Sequence, residues 1–321
     1  MPPLLLLLIA CAGLGGLVYG AHLLVTGASS MATRAGVSQI AIGLTVVAFG
    51  TSLPEMAVNV FSSAQGQGDI VFGNIIGSNI FNTLLILGFS GLVCPLAVLR
   101  DTVWKEIPFS VLVGLMLAAM VNGWLVGQEN VLSRLDSLLL LTFFVGFLFY
   151  VWRMAKVEPG YIDGQTAAHV QASSTSILYI IGGLAALFIG GRVVVDASVE
   201  AAMQLGISQK LIAVTLIAGG TSLPEMATSV VAAFKKKYDI AVGNIVGSNI
   251  FNIVLILGVS GLIRPVSYDL AFNTDLLVYL AGAMMLFVAM FLGKRHRLDR
   301  WEAALMLAGF VAYTIYLVHR R

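Results

Sequence analysis

Charge is what this 321-residue chain has least of: Lys, Arg, Asp and Glu together make up 11% of it, against 59% hydrophobic residues. With a mean hydropathy of +0.95, the chain cannot be a water-soluble domain, which could not hide so much apolar surface. Cysteine is almost absent as well. Cys11 and Cys94 lie in separate apolar segments without ligand spacing, which argues against a disulfide framework or a thiolate metal centre. The net charge of +2, with its basic residues scattered, gives no footprint for a nucleic-acid partner. Long polar stretches are equally scarce. The one sizeable example, "KVEPGYIDGQTAAHVQASS" at 156–174, leaves no room for a soluble catalytic or nucleotide-binding domain, so the chain is not expected to be an enzyme. "LIAC" at 8–11 resembles a lipoprotein processing site, but no Lys or Arg precedes it and the apolar run before it is short, so it reads as part of a retained first span.

What is present is a succession of apolar runs near the roughly 20 residues that a membrane-crossing helix needs. Charged and polar clusters divide them into ten expected spans, at roughly 4–26, 37–62, 70–94, 106–127, 135–152, 174–200, 207–233, 240–263, 270–292 and 300–319. The expected fold is an all-α polytopic protein of the cell membrane, with the lipid bilayer as its surroundings and no protein partner evident. If the N-terminus lies outside, the loops after odd-numbered spans hold Arg34, Arg100, Lys105, Arg153, Lys156, Lys235, Lys236, Lys237, Lys294, Arg295, Arg297 and Arg300, which is 12 of the 18 basic residues. The positive-inside bias therefore predicts both termini outside.

The chain repeats itself. Residues 36–95 aligned with 206–265 at a constant offset of 170 give 34 identities in 60 positions, concentrated in "GTSLPEMA" (50–57 and 220–227) and in "GNIIGSNIFN" (73–82) against "GNIVGSNIFN" (243–252). Five expected spans separate equivalent points. Five is odd, so the halves should cross the membrane in opposite senses, an arrangement that places a substrate site near the midplane at the repeat interface. The expected organisation is a first five-helix half at 1–156, a cytoplasmic linker at 157–173 and a second half at 174–321.

Each repeated block sets a carboxylate beside a helix breaker. A proline removes one N–H and clashes with the carbonyl four residues earlier, so Pro54 should free the carbonyl of Gly50 and loosen Ala48, as Pro224 should for Gly220 and Ala218. Thr51, Ser52 and Glu55 share one side of the broken helix, and Ser78 and Asn82 are one turn apart on the next span. With Thr221, Ser222, Glu225, Ser248 and Asn252, the two halves offer carboxylate, hydroxyl, amide and carbonyl oxygens. Such hard donors suit Ca²⁺, Na⁺ or Mg²⁺ better than zinc or copper. Two facing carboxylates at membrane depth are costly alone. One divalent ion or two or three monovalent ones would relieve that cost, and competition between those loads is the basis of antiport. Gly43, Gly73, Gly77, Gly88 and their counterparts are expected to serve close helix packing, and Asn79 and Asn249 to stand behind the ligands.

At these residues the chain resembles the cation/calcium antiporter superfamily, in particular its prokaryotic sodium/calcium exchanger branch, whose two repeats carry G-T-S-L-P-E and G-S-N-I-x-N/D patterns. The resemblance extends over nearly the whole chain. It implies ten helices in inverted halves with four cation sites at mid-membrane, Ca²⁺ and Na⁺ as transported ions and no cofactor. It further implies a calcium site of Glu55, Glu225 and the main-chain carbonyls of Thr51 and Thr221. Flanking sodium sites would use Ser52, Ser78 and the Ala218 carbonyl, or Ser222, Ser248 and the Ala48 carbonyl. Some relatives carry aspartate in one repeat where this chain has Asn82 and Asn252, so this pocket has two carboxylates and not three. Coupling to protons or potassium is the alternative within the same class.

Two rivals come from other classes. "GQGD" at 66–69 and "YD" at 238–239 match the pattern of an intramembrane aspartyl protease, but Asp69 and Asp239 are repeat equivalents at the starts of oppositely directed helices and should cap them. A cation channel would ring a pore with repeated ligands, whereas a pseudo-twofold site fits alternating access. Arg192 and Asp196 are spaced for an ion pair on a helix surface.

Overall fold

The computed structural model describes residues 1–124, 130–155, 171–205 and 218–320. Its helices are α1 (Pro3–Ala35), α2 in two parts (Gln39–Thr51 and Leu53–Gln65), α3 (Gly68–Val93), α4 (Arg100–Val121), α5 (Arg134–Met154), α6 (Ser173–Gln204), α7 (Ala218–Gly220 and Leu223–Phe234), α8 (Tyr238–Ile263), α9 (Phe272–Ala289) and α10 (Arg300–His319). Among the described residues eight helices are long and apolar enough to cross a membrane, and nine when the bent pair of α2 counts as one span. The first part of the expected seventh span, and the linker at 157–170, lie outside the described residues. The fold is thus an all-helical polytopic membrane protein.

The first span runs nine residues further than its apolar stretch, to Ala35. The small polar residues of "TGASS" continue the helix, and the Thr26 and Thr33 hydroxyls bond back to the carbonyls of His22 and Ser29. Gly36, at φ 63°, closes the helix in the left-handed conformation that glycine adopts without steric cost. Asp69 and Asp239 do not cap their helices as expected: the cap positions are Gln67 and Lys237. The aspartates sit within the first turn, where their charge faces the positive helix end.

α3 and α8 form the centre, with 72% and 94% of their spans buried against 17% for α10. They are antiparallel. The start of α3 meets the chain just past the far end of α8, where a Cβ on Gly68 would run into the Ser267 carbonyl oxygen. At the other end Cys94 Sγ lies 3.5 Å from Tyr238 Oη. Two short antiparallel strand pairs, absent from the sequence-based expectation, close these ends: Leu96 and Ala97 pair with Leu298 and Arg297, and Val131 and Leu132 with Ser267 and Val266. Two-residue strands carry too little pattern to be read from sequence.

Glycines let backbones touch at two seams. On α1 and α6, a Cβ on Gly20 would lie 2.8 Å from the Gly183 carbonyl and one on Gly183 2.7 Å from that of Gly20. On α2 and α8, a Cβ on Gly247 would lie 2.8 Å from Ala48 Cβ and 3.0 Å from the Leu44 carbonyl oxygen, and one on Gly43 would lie 3.1 Å from Ile240 Cα. Gly88 packs on α10 as expected. A Cβ on Gly73 would meet only the Phe272 ring, at 3.6 Å, and one on Gly77 nothing within 4 Å among the described residues, so neither position requires glycine for a close helix approach. The expected pair Arg192 to Asp196 forms at 2.8 Å.

Candidate functional site: a buried oxygen cluster where the repeats cross

The break in α2 falls at Ser52, whose φ and ψ of −85° and 7° leave the helical region. The two parts meet at 49°. Pro54 and Pro224 lie in the first turn of the second part, where a proline forfeits no hydrogen bond. The Ala48 carbonyl is less free than expected: it accepts the Ser52 N–H at 3.1 Å. The Gly50 carbonyl, expected to be freed by Pro54, is also bonded: it accepts a backbone N–H where the first part of the helix ends. Glu55 and Glu225 occupy the first turn of these second parts, so each carboxylate sits at the positive end of a half-helix.

The structure brings both broken helices and both central helices to one place. Ser52 Oγ donates to Glu225 Oε1 at 2.9 Å, and Ser222 Oγ donates to Glu55 Oε1 at 3.1 Å. Each half therefore holds the other half's carboxylate. Thr51 Oγ1 lies 3.1 Å from Asn244 Oδ1, and Thr221 Oγ1 lies 3.4 Å from Asn74 Oδ1. The same two amides donate to main-chain carbonyls within their own half: Asn74 Nδ2 to the Glu55 carbonyl at 3.4 Å, and Asn244 Nδ2 to that of Glu225 at 3.3 Å. Behind them Asn74 is held by Asn59 at 2.7 Å and Asn244 by Ser229 at 3.0 Å.

Asn74 and Asn244 were not singled out by sequence reasoning. A signal existed: Asn74, Ser78 and Asn82 fall at i, i+4 and i+8, one stripe along α3, and Asn244, Ser248 and Asn252 repeat it on α8. The backbone marks the same level. π-helical turns run over Phe81–Ile86 and Asn252–Leu257, and another over Gly43–Val47 ahead of the first break. Such turns cluster at functional sites.

The decisive feature is what lacks a partner. Among the described residues, Glu55 Oε2, Glu225 Oε2, Ser78 Oγ, Ser248 Oγ, Asn82 Oδ1 and Asn252 Oδ1 are buried without any hydrogen bond. These six are symmetric pairs under the repeat. Glu55 is 1% exposed and Glu225 0%, and neither joins an ion pair among the described residues. Each unmet buried acceptor costs about 1–3 kcal/mol and a charged one more, so the cluster is arranged for something that brings positive charge. No group of three or more His, Cys, Asp or Glu that could hold a metal occurs among the described residues, which fits a site with two carboxylates and neutral oxygens for the rest. Ala218 opens the described part of α7.

Comparison with known proteins agrees with this chemistry. The profile of the family described as "Sodium/calcium exchanger protein" matches residues 5–153 and 175–319. The sodium/calcium exchanger MaX1 of Methanosarcina acetivorans is 32% identical over 347 residues, with 97% of this chain and 98% of that protein covered. The inner membrane protein YrbG of Escherichia coli K12 is 35% identical over 313 residues, with 95% and 94% covered. Among solved structures, that of the sodium-calcium exchanger NCX_Mj soaked with zero Na⁺ and Ca²⁺ superposes with a TM-score of 0.82 at 29% identity, covering 98% of this chain and 99% of that one.

Proposed function

Since the chain belongs to the sodium/calcium exchanger protein family, we propose that it is a secondary antiporter that exchanges Ca²⁺ for Na⁺ across the cell membrane by alternating access. The observation that carries this reading is the set of six unpartnered oxygens shared equally between the repeats. Glu55 and Glu225 take the divalent ion together with the main-chain carbonyls of Thr51 and Thr221. The threonine hydroxyls are engaged with Asn244 and Asn74, which supports the carbonyls as the coordinating atoms. Ser52 and Ser78, and symmetrically Ser222 and Ser248, serve Na⁺ together with the carbonyls of Ala218 and Ala48, and Asn82 and Asn252 add amide oxygens. All these donors are hard oxygens, the class that Ca²⁺ and Na⁺ prefer.

Antiport follows from charge. With two formal negative charges, the pocket is neutralised by one Ca²⁺ or by two Na⁺, and either load excludes the other. We further propose that the chain has ten spans in two inverted five-helix halves with both termini outside, a reading supported by the antiparallel α3 and α8. Because each serine holds the carboxylate of the other half, a shift of one half against the other must remake the site.

The test is transport in liposomes. Calcium uptake should follow an outward Na⁺ gradient and be unaffected by a pH gradient at equal Na⁺. Uptake driven only by the pH gradient would make the protein a proton-coupled exchanger, and uptake needing no opposing gradient would make it a channel.

A further inference from the structure

Where α3 and α8 cross, four asparagines interlock, and the order of their hydrogen bonds fixes which atom each offers. Asn79 Nδ2 donates to the main-chain carbonyl of Asn249 at 3.3 Å. A carbonyl can only accept, so Asn79 cannot turn its amide round without losing that bond. Its Oδ1 is thereby the acceptor for Asn252 Nδ2, at 2.9 Å. With its NH₂ drawn to Asn79, Asn252 is left with Oδ1 unpartnered, among the six oxygens of the cluster.

The mirror arrangement has no such anchor. Asn82 Nδ2 donates to Asn249 Oδ1 at 3.2 Å, and Asn249 Nδ2 donates to the Thr83 hydroxyl at 2.8 Å. A hydroxyl can donate as well as accept, so Thr83 would serve either orientation of Asn249. Position 253, the repeat equivalent of Thr83, is isoleucine. The repeats thus diverge behind the pocket while their proposed ligands remain identical.

We propose that Asn79 is a positioning residue that turns the Asn252 amide so that its oxygen, and not its NH₂, meets the transported cation. The inference rests on the ion-exchange reading of the site. Without Asn79 the Asn252 amide can rotate, and its NH₂ dipole opposes a cation in the pocket. A carboxylate at 252 would be indifferent to this, because both of its ends accept.

The experiment is equilibrium Ca²⁺ binding to the purified full chain carrying Asn79→Ala, Asn252→Asp or both, with folding followed by size exclusion and thermal melting. Asn79→Ala should weaken Ca²⁺ binding at least about tenfold relative to wild type, which is about 1.4 kcal/mol. The double variant should bind within about threefold of Asn252→Asp alone, whereas a role in folding alone would show as a lowered melting temperature in both backgrounds. Asn79→Ser, whose side chain is too short to span both partners, carries the same expectation should the alanine variant fold poorly. An Asn79 loss as large in the Asn252→Asp background as in wild type overturns the positioning role while leaving ion exchange intact. A wild-type chain that binds neither Ca²⁺ nor Na⁺ overturns the exchange reading and this inference with it.

Discussion

Glu225→Gln is the substitution whose effect can be worked out furthest. Glutamine keeps the side-chain size and an oxygen within reach of Ser52 Oγ, which now stands 2.9 Å from Oε1. What it removes is one of two buried formal charges. Unit charges about 4 Å apart interact by about 4 kcal/mol at an effective dielectric constant of about 20, so a divalent ion loses about 8 kcal/mol of attraction. The repulsion from Glu55 acts with or without a bound ion and so cancels from the binding difference. For one Na⁺ the attraction lost is about 4 kcal/mol, so Ca²⁺ affinity should fall about a thousandfold further than Na⁺ affinity. Calorimetric titration of each ion into the purified variant reads both numbers. Ca²⁺ binding within tenfold of wild type, or an equal loss for both ions, would refute the paired-carboxylate reasoning. Glu55→Gln should behave alike, since Ser222 holds Glu55 as Ser52 holds Glu225.

Asn82→Ala and Asn252→Ala each delete a neutral oxygen, so competition between Na⁺ and Ca²⁺ in a transport assay should shift while exchange persists; abolished exchange would mean that these amides do more than coordinate. Gly247→Leu drives a side chain into Ala48 and the Leu44 backbone and should lower stability by about 1–3 kcal/mol, seen as a reduced melting temperature; an unchanged melt would contradict the close approach of α2 and α8. Single cysteines at Lys236 and at its repeat equivalent Gly66 should react with an impermeant thiol reagent from opposite sides of the membrane, and reaction from the same side would falsify the inverted halves.

Much of the site was legible because polar residues stand out against an apolar background. Glu55, Ser52, Ser78 and Asn82 needed only their spacing, and the second copy raised each of them above chance. The contacts between halves were not legible. That Ser52 serves Glu225 and not its own Glu55 depends on how two breaks 170 residues apart meet, which no local pattern records. Asn74 and Asn244 were passed over because an asparagine in an apolar run reads equally as helix packing, and their role follows only from the carbonyls they reach. The failed cap at Asp69 shows the limit of the same method: aspartate favours both the cap and the first turn, and the chain geometry around Gln67 decides between them. The length of α1 was missed because small residues extend a helix by packing, here Gly27 against Ser176, Tyr179 and Ile180 of α6, and not by hydropathy.

The central claim is that one cation binds between Glu55 Oε2 and Glu225 Oε2, and the most direct measurement is diffraction from crystals of the full chain grown in Ca²⁺ and then soaked in Na⁺ alone. The account predicts a strong calcium peak within about 2.3–2.6 Å of both oxygens, lost on the sodium soak and replaced by weaker density beside the serines. A pocket without that peak at saturating Ca²⁺, with the two carboxylates bonded to each other or to water, would contradict it.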